Sequence, residues 1–163
     1  MPLSNHINPD HFLDRSDAGE VSREAGQAAW EQAYAELARQ LAAVGTQGQL
    51  YVVCGLQGAG KSSWVRRHAP ALGEHAVFFD AALPSLRHRS RALALAATTR
   101  TPVVAVWINV PVETALLRNA ARPPHERVPE PVVRHVLEQL VPPSVDEGFV
   151  DVIEVKEGRA TEA

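Results

Sequence analysis

Apolar residues in this sequence fall into two recurring patterns, short continuous runs and longer stretches with helical spacing. A short continuous run is typical of a strand buried on both faces, and spacing of three and four residues predicts an amphipathic helix. Strands are predicted over residues 50–54, 76–79, 102–110 and 150–155. Helices are predicted over residues 22–44, 61–68, 84–99, 113–122 and 129–140.

The order of these elements indicates the fold class. Strands that alternate with helices form right-handed βαβ units, which build a parallel sheet with helices on both faces. We therefore predict an α/β fold with three αβα layers and a mostly parallel sheet. A chain of 163 residues fits a single domain, with a helical N-terminal segment at 1–48, a core at 49–155 and a tail at 156–163. Residues 1–20 are predicted to form polar turns, one of them at Asn8-Pro9-Asp10.

The first long helix carries an apolar stripe that includes two aromatic residues. Its members recur at helical spacing and are Trp30, Tyr34, Leu37, Leu41 and Val44. Such a stripe favours a helix face that packs on the core. The alternative is an aromatic platform on which nucleic-acid bases stack.

Composition and charge restrict the possible partners. Hydrophobic residues make up 45% of the chain and charged residues 21%, which is typical of a globular protein. The net charge of -3 gives no overall basic field of the kind that non-specific DNA-binding proteins use. Cys54 is the only cysteine, so neither an internal disulfide nor a thiolate metal site can form. Because we find no signal-peptide pattern and no membrane-spanning apolar run, we expect a cytoplasmic protein without a membrane partner.

A glycine-rich motif follows the first predicted strand. It reads Gly55-Leu56-Gln57-Gly58-Ala59-Gly60-Lys61-Ser62 and matches the phosphate-binding pattern G-x-x-x-x-G-K-[ST] in full. Its glycines let the backbone approach phosphate oxygens, and successive N–H groups at the start of a helix form an anion nest. The motif therefore predicts a P-loop NTPase fold that binds ATP with Mg²⁺ as cofactors. The expected nucleotide contacts are Gly55, Gln57, Gly58, Ala59, Gly60, Lys61, Ser62 and Ser63.

A carboxylate and two arginines are candidates for the rest of such a site. Asp80 directly follows the second buried run, where an acid of a P-loop site holds the metal; a turn or N-cap aspartate is the alternative. Arg118 and Arg122 are four residues apart and share one helix face, with Arg127 just beyond. Such arginines can neutralise charge on a transferring phosphoryl group, and a solvated basic face is the alternative.

A second basic cluster lies early in the helix that follows Asp80. Its members are Arg87, His88, Arg89 and Arg91. The cluster is a candidate site for an acceptor phosphate or a nucleic-acid backbone. Ordinary surface charge is the alternative, with equal weight.

Together these segments resemble a known family. The loop at 55–62, Phe79-Asp80, and Arg118-Asn119-Ala120-Ala121-Arg122 with Arg127-Val128-Pro129-Glu130 are similar to the kinase domain of polynucleotide 5′-hydroxyl kinases. More broadly, residues 49–155 resemble the zeta-toxin-like, AAA-type P-loop kinases. The resemblance implies ATP-dependent phosphotransfer, with Arg118 and Arg122 as lid arginines on the ATP phosphates and Asp80 as the metal-site acid.

One departure from the family concerns the acid that acts as general base. In these kinases the acid ends a strand after the P-loop helix, in a pattern I-N-x-D or S-x-D, but here the chain reaches Asp80 too soon to contain that strand. Ile7-Asn8-Pro9-Asp10 carries the pattern ahead of the P-loop. We therefore hypothesise a circular permutation that returns Asp10 to the active site, with a plain N-terminal turn as the alternative. Leu13 stands where the family has an arginine, and Arg15 is a weak substitute.

The expected activity is transfer of the γ-phosphoryl group of Mg-ATP to an acceptor hydroxyl. Ser62 and Asp80 are expected to bind the metal, and the expected catalytic residues are Lys61, Asp80, Arg118, Arg122 and Asp10. The resemblance suggests a polynucleotide 5′-hydroxyl as the acceptor, whereas a small molecule such as a sugar or nucleotide sugar suits the acidic net charge. A third possibility is a regulatory module that binds ATP with little turnover, which the missing arginine after Asp10 favours.

Overall fold

The computed structural model describes residues 4–13, 22–156 and 159–160. These residues form one six-stranded sheet with helices on both faces. The strands are β1 His6–Ile7, β2 Gln49–Gly55, β3 Ala76–Asp80, β4 Val103–Asn109, β5 Asp151–Lys156 and β6 Arg159–Ala160. The helices are α1 Arg23–Val44, α2 Lys61–Leu72, α3 Leu86–Thr98, α4 Val112–Ala120 and α5 Glu130–Gln139. Short 3₁₀ segments lie at Pro9–Phe12, Gly45–Gln47, Pro124–Glu126 and Val145–Glu147.

The sheet is parallel from β1 to β5. The strand order is β1-β3-β2-β4-β5-β6, and β6 at the far edge runs antiparallel to β5. The central strand β2 lies between β3 and β4, with Val52 opposite Phe79 on one side and Ala105 on the other. The predicted α/β fold with a mostly parallel sheet is confirmed, and the arrangement is consistent with a P-loop NTPase fold.

The two faces of the sheet supply two hydrophobic cores. Along β2, Leu50, Val52 and Cys54 pack with α1 and α3, whereas Tyr51 and Val53 pack with α2, α4 and α5. Because helices cover both faces, the strand is apolar throughout instead of alternating with polar residues. None of the helices in the described part of the chain is long and apolar enough to cross a membrane.

Helix α1 rests on the sheet through the stripe that the sequence predicted. Tyr34 is buried, and its ring stacks on Phe79 of β3 with the ring centroids 5.2 Å apart. Leu37 and Leu41 are fully buried in the same core. Trp30, at the start of the stripe, is only partly buried. The core-facing interpretation therefore holds for Tyr34, Leu37 and Leu41 and only in part for Trp30 and Val44, which are partly buried.

The N-terminal strand β1 was not predicted. It runs parallel to β3 with Ile7 opposite Phe79, so it forms the edge of the sheet beside β3. Ile7 is buried in the core that α1 covers. The interpretation of residues 1–20 as turns alone is therefore wrong at β1, because a two-residue strand is too short to produce a recognisable apolar pattern. The turn predicted at residues 8–10 is present as the start of the 3₁₀ segment Pro9–Phe12.

The C-terminal residues also differ from the prediction. Residues 156–163 were expected to form a tail, but Lys156 is the last residue of β5. The short strand β6 then pairs with β5, with Arg159 opposite Lys156. The other residues of the predicted tail, 157–158 and 161–163, lie outside the described residues.

Arg89 of α3 is buried in an ion pair and does not belong to a basic surface. Its guanidinium donates two hydrogen bonds to the carboxylate of Glu147, at 2.8 and 2.9 Å, and a third to the carbonyl of Leu83 at 2.9 Å. The two charged side chains are 1% and 4% exposed, so this bidentate geometry is needed to offset the cost of removing both from water. The pair ties α3 to the segment that precedes β5.

The other members of the predicted basic cluster are also dispersed. Arg91 donates to both carboxylate oxygens of Glu31 in α1, each at 2.8 Å, and its guanidinium lies 4.1 Å from the centre of the Tyr34 ring. The ring of His88 lies within hydrogen-bond distance, 2.6 Å, of the Ser85 hydroxyl. The candidate anion-binding cluster is therefore not formed, because two of its three arginines make contacts within the protein.

Candidate active site

The loop between β2 and α2 has the backbone conformation that the glycine pattern predicts. Gly55, Gly58 and Gly60 have φ angles of +152°, +87° and +107°, a region that other residues rarely adopt. At Gly58 a Cβ atom would lie only 2.3 Å from the carbonyl oxygen of Ala115 in α4. The glycines therefore serve both the turn itself and the close packing of α4 against it.

The loop leaves a group of backbone N–H donors unpaired. Among the described residues, the N–H groups of Gln57, Gly58 and Gly60 donate to no other backbone carbonyl. Helix α2 begins at Lys61, so its own free N–H groups and the positive end of its dipole lie at the same place. Unpaired donors at a helix N-terminus attract anions, which makes this loop suitable for phosphate oxygens.

The ammonium group of Lys61 folds back over the loop. It donates to the carbonyl oxygens of Gly55 at 3.1 Å and Leu56 at 2.8 Å. Burial lowers the pKa of Lys61, the charge of Asp80 opposes this shift, and the charge of Arg122 lowers the pKa further. A desolvated cation near a second cation is stabilised when an anion binds between them.

Asp80 ends β3, and its side chain is fully buried. Its Oδ2 atom accepts a hydrogen bond from the Ser62 hydroxyl at 2.6 Å and lies 2.8 Å from Nε2 of His6 in β1. The other carboxylate oxygen, Oδ1, is buried and has no hydrogen-bond partner among the described residues. Burial raises the pKa of Asp80, but the hydrogen bond with His6, the charge of Lys61 and the hydrogen bond with Ser62 together hold it below the ordinary value.

An unpaired oxygen on an ionised, buried carboxylate beside a hydroxyl fits a divalent cation. Oxygen atoms are the ligands that Mg²⁺ prefers, and Mg²⁺ usually takes only one or two of them from the protein and shares the rest with phosphates and water. The described residues contain no group of three or more His, Cys, Asp or Glu side chains that could hold a metal ion by themselves. Asp80 and Ser62 therefore fit a Mg²⁺ ion shared with a bound phosphate.

Two of the three predicted lid arginines lie at the phosphate loop. Arg118 of α4 donates to the carbonyl of Ala59 at 2.9 Å, and Arg122 lines the same cavity as Lys61. The prediction that both share one helix face is wrong, because α4 ends at Ala120 and Arg122 lies in the segment after it. Arg127 is not part of that lining, and its Nε atom donates to the carbonyl of Arg122 at 2.7 Å. Arg127 therefore supports the lid backbone.

Asn119 closes the lid segment. Its Nδ2 atom donates to the carbonyl of Val128 at 2.5 Å, and its Oδ1 atom accepts from the N–H of the same residue at 2.9 Å. The side chain is buried, so both hydrogen bonds are shielded from water. This clamp pins the ends of segment 120–127, which carries Arg122. In the sequence, Asn119 lies inside the lid motif but carries no signal of this contact.

A cavity of about 590 Å³ brings most of the predicted residues together, a size typical of small-molecule sites. The predicted residues in its lining are Asp10, Gln57, Gly60, Lys61, Ser62, Ser63, Asp80 and Arg122. Lining residues that sequence analysis missed as site residues include His11, Trp30, Arg66 and Glu126. The lining does not include four of the predicted residues, which shape or support the loop: Gly55, Gly58, Ala59 and Arg118.

Asp10 reaches this cavity from the N-terminal segment. The Oδ1 atom of Asn8 accepts the N–H of Asp10 at 2.8 Å, which fixes the turn, and α1 packs on the 3₁₀ segment Pro9–Phe12. The Asp10 carboxylate makes no hydrogen bond or ion pair with another described residue, and it is close enough to act on the charge of Lys61. Asp10 therefore lies at the phosphate-loop cavity with no partner for its carboxylate among the described residues, and its catalytic role stays a prediction.

Comparison with known proteins supports the nucleotide-binding character of the fold. A family model described as an AAA domain matches residues 69–142, which is less than half of the chain. The match begins within α2, after the phosphate loop, and includes Asp80, Arg118 and Arg122. It supports a P-loop NTPase-like domain of a family that includes many kinases. No curated protein matches the sequence.

The substitution Gly58→Ala tests the packing of α4 on the loop. A positive φ angle costs an ordinary residue about 1–2 kcal/mol, and the contact with Ala115 adds about 1–3 kcal/mol of overpacking. Urea unfolding should therefore show a lower free energy of unfolding for this variant. Gly26→Ala in α1 is the matched control, because its Cβ meets nothing within 4 Å; it should stabilise the protein by about 0.5–1 kcal/mol. Unchanged stability in Gly58→Ala would contradict the described packing.

Proposed function

We propose that this protein is an ATP-dependent phosphotransferase that moves the γ-phosphoryl group of Mg-ATP to an acceptor hydroxyl. The observation that carries the proposal is the unpaired Oδ1 atom of Asp80, next to Ser62 and the phosphate loop. A buried, ionised oxygen without a partner is costly unless a cation completes its contacts. Its position beside a phosphate-binding loop points to a cation that arrives with a nucleoside triphosphate.

The phosphate loop holds the nucleotide in this proposal. The unpaired N–H groups of the loop bind the β- and γ-phosphates, and Lys61 exchanges its two loop carbonyls for phosphate oxygens. Ser62 and Asp80 hold Mg²⁺, which supplies charge neutralisation of the phosphate oxygens. Preorganised donors of this kind cost little reorganisation when negative charge develops.

The transfer itself is an in-line displacement. The acceptor oxygen attacks the γ-phosphorus, the bond from the γ-phosphorus to the bridging oxygen breaks, and ADP leaves. Asp10 orients the acceptor hydroxyl and receives its proton. Arg122 neutralises the charge that spreads over the transferring oxygens, and Arg118 joins it by exchanging the carbonyl of Ala59 for a phosphate oxygen. The lid clamp at Asn119 keeps Arg122 at the cavity during this step.

The sheet topology supports the hypothesis of a permuted arrangement. In the kinases that the sequence resembles, the strand that ends in the general base follows the P-loop helix. Here α2 leads directly to β3, and the parallel strand β1, which precedes Asp10, occupies the edge beside β3. Because parallel strands end at the same edge of a sheet, Asp10 lies on the side where Asp80 and the phosphate loop also lie.

The charges around the cavity favour a small acceptor over a polynucleotide end. Among the described residues, cationic and carboxylate side chains line the cavity in equal numbers, namely Lys61, Arg66 and Arg122 with Asp10, Asp80 and Glu126. Arg89 and Arg91 belong to the cluster that was a candidate site for a nucleic-acid backbone. In the structure both are paired with glutamates. A polynucleotide usually requires several uncompensated cations along its path. We therefore favour a small hydroxyl-bearing acceptor.

Transfer of label from γ-labelled ATP tests the proposed activity. The acceptor panel contains 5′-hydroxyl DNA and RNA, nucleosides and sugars, and we expect label on small acceptors. Lys61→Ala should lose at least about 100-fold in rate, because it removes the cation of the loop. Lys156→Ala, at the other lysine of the chain and on the exposed side of β5, should keep wild-type activity.

Other outcomes of the same assay discriminate between the alternatives. Label on oligonucleotides alone would select a polynucleotide kinase and overturn the small-acceptor proposal. Tight ATP binding without transfer to any acceptor would indicate a regulatory module and contradict the phosphotransferase.

The substitution Asp80→Asn tests the metal site. A neutral amide is a weaker ligand than a carboxylate. The factor by which Mg²⁺ increases the affinity for ATP should therefore be at least about tenfold smaller in the variant than in the wild type. Titration calorimetry of ATP with and without Mg²⁺ measures this effect apart from turnover. Thermal unfolding of the ligand-free variant shows whether the fold is retained. A full Mg²⁺ effect in a folded variant would mean that Asp80 does not hold the metal.

The substitution Asp10→Asn tests whether Asp10 takes part in catalysis, as the permutation hypothesis requires. Loss of the proton acceptor should lower kcat by about 10²–10⁴-fold, while Mg-ATP binding stays close to that of the wild type. Asp146→Asn, at an exposed aspartate outside the cavity, is the matched control. If Asp10→Asn transferred phosphate to every accepted substrate at the normal rate, Asp10 would have no catalytic role.

A further inference from the structure

We propose that Trp30 forms an acceptor subsite in which a small ring-containing molecule, a sugar or a nucleoside, lies against the face of the indole. This inference rests on the proposed function, because it assigns the acceptor side of the same cavity. Sugars and nucleosides share the chemistry that the subsite requires, a ring with an apolar face and hydroxyl groups at its edge. The experiment below separates the two.

The cavity lining comes from two different parts of the chain. One part, which we call the nucleotide wall, consists of Gly60–Ser62, Asp80 and Arg122, all of which the proposed function assigns to the triphosphate and Mg²⁺. The other part, the acceptor wall, consists of Asn8–His11 and Trp30. Other lining residues, Arg66 and Glu126 among them, belong to neither wall. Since the nucleotide occupies the first wall in the proposed function, we assign the acceptor to the second.

Trp30 is held firmly where it lines the cavity. Its ring centroid lies 5.8 Å from that of Tyr34 and 6.3 Å from that of Phe79. These two rings are themselves stacked, and the Arg91 guanidinium covers Tyr34. The core therefore supports part of the indole while another part lines the cavity. A preorganised aromatic ring of this kind can stack on a ligand without a large loss of side-chain entropy.

The charge of the acceptor wall suits a neutral ring. Asp10 carries its only formal negative charge, and its residues include no lysine or arginine. Burial lowers the pKa of His11, the nearby His6 ring lowers it further, and the charges of Asp80 and Asp10 only oppose this shift. This shift favours the uncharged form of the His11 imidazole. A wall with an indole, an imidazole and one carboxylate binds hydroxyls and ring faces better than phosphates.

The position of Asp10 links stacking to transfer. Helix α1, which carries Trp30, packs directly on the 3₁₀ segment that carries Asp10. A hydroxyl at the edge of a ring that rests on the indole therefore lies on the Asp10 side of the cavity. Its proton passes to Asp10 as in the proposed transfer, and no further reactant is needed.

Steady-state kinetics test the subsite with the acceptor that the labelled panel identifies. Trp30→Ala should raise the KM for that acceptor about tenfold, because stacking of one ring on an aromatic side chain has an effect of this size. The KM for ATP should not change, and Trp30→Phe should restore most of the acceptor affinity. The matched control is Trp107→Phe, because Trp107 is also partly buried but does not line this cavity. An unchanged acceptor KM in Trp30→Ala would overturn the inference.

Tryptophan fluorescence gives a readout that does not depend on transfer. Wild-type protein and Trp30→Phe are saturated with Mg²⁺ and a non-hydrolysable ATP analogue, then titrated with adenosine, ribose, glucose and the acyclic polyol ribitol. We expect nucleosides or sugars to change the emission of the wild type and not that of Trp30→Phe, with ribitol inactive in both. Whether adenosine or the free sugars act at lower concentration identifies the ring.

The outcomes separate this inference from the proposed function. An emission change that needs Trp30, without transfer of label to any acceptor, would support the subsite and contradict the phosphotransferase. Suppose instead that small molecules are labelled and that the Trp30 variants keep the emission response and the acceptor KM of the wild type. That result would support the phosphotransferase and contradict the subsite. Equal responses to ribitol and the ring compounds, or transfer to oligonucleotides alone, would overturn the subsite.

Discussion

The carboxylate of Asp80 joins three parts of the chain that meet only in the folded protein. Asp80 ends β3, and its Oδ2 atom is hydrogen-bonded to Ser62 at the start of α2 and to His6 in β1. A fully buried carboxylate is costly to keep ionised, so these two hydrogen bonds and the charge of Lys61 are needed to hold its pKa down. The phosphate loop, the central sheet and the N-terminal strand are therefore coupled through one side chain.

The main sheet and the phosphate loop could be predicted because their signals are local. A buried strand is apolar along its whole length, and the spacing of Gly55, Gly58 and Gly60 describes the backbone of the loop itself. Strand β1 gives no such signal, since two residues have no periodicity and its partner β3 lies far along the chain. The contact between His6 and Asp80 was missed for the same reason. The family pattern I-N-x-D, which here precedes the P-loop, pointed to Asp10. Only the sheet topology explains how Asp10 reaches the cavity.

Charged and polar pairs were the least predictable features. Three arginines within five positions suggest a cluster, yet each step of two residues turns a helix by more than half a turn. Arg89 therefore points inward to Glu147, whereas Arg91 points toward α1 and Glu31. The two hydrogen bonds between Asn119 and Val128 are likewise a tertiary contact. They involve a motif whose arginines alone give a functional signal in the sequence.

The N-terminal segment carries the features that the proposed mechanism adds to the nucleotide-binding core. The loop, Ser62 and Asp80 lie within 49–155, whereas His6, Asp10 and His11 come from 4–13. A strand of two residues paired to a single neighbour is weak by itself, so β1 depends on the burial of Ile7 and on the packing of α1 over it. Detachment of β1 would remove the His6 contact from Asp80 and would release the part of the acceptor wall at Asn8–His11 at the same time, while the phosphate loop kept its own backbone. In the proposed mechanism, phosphate binding therefore requires only the core, and phosphotransfer requires the core together with this docked segment.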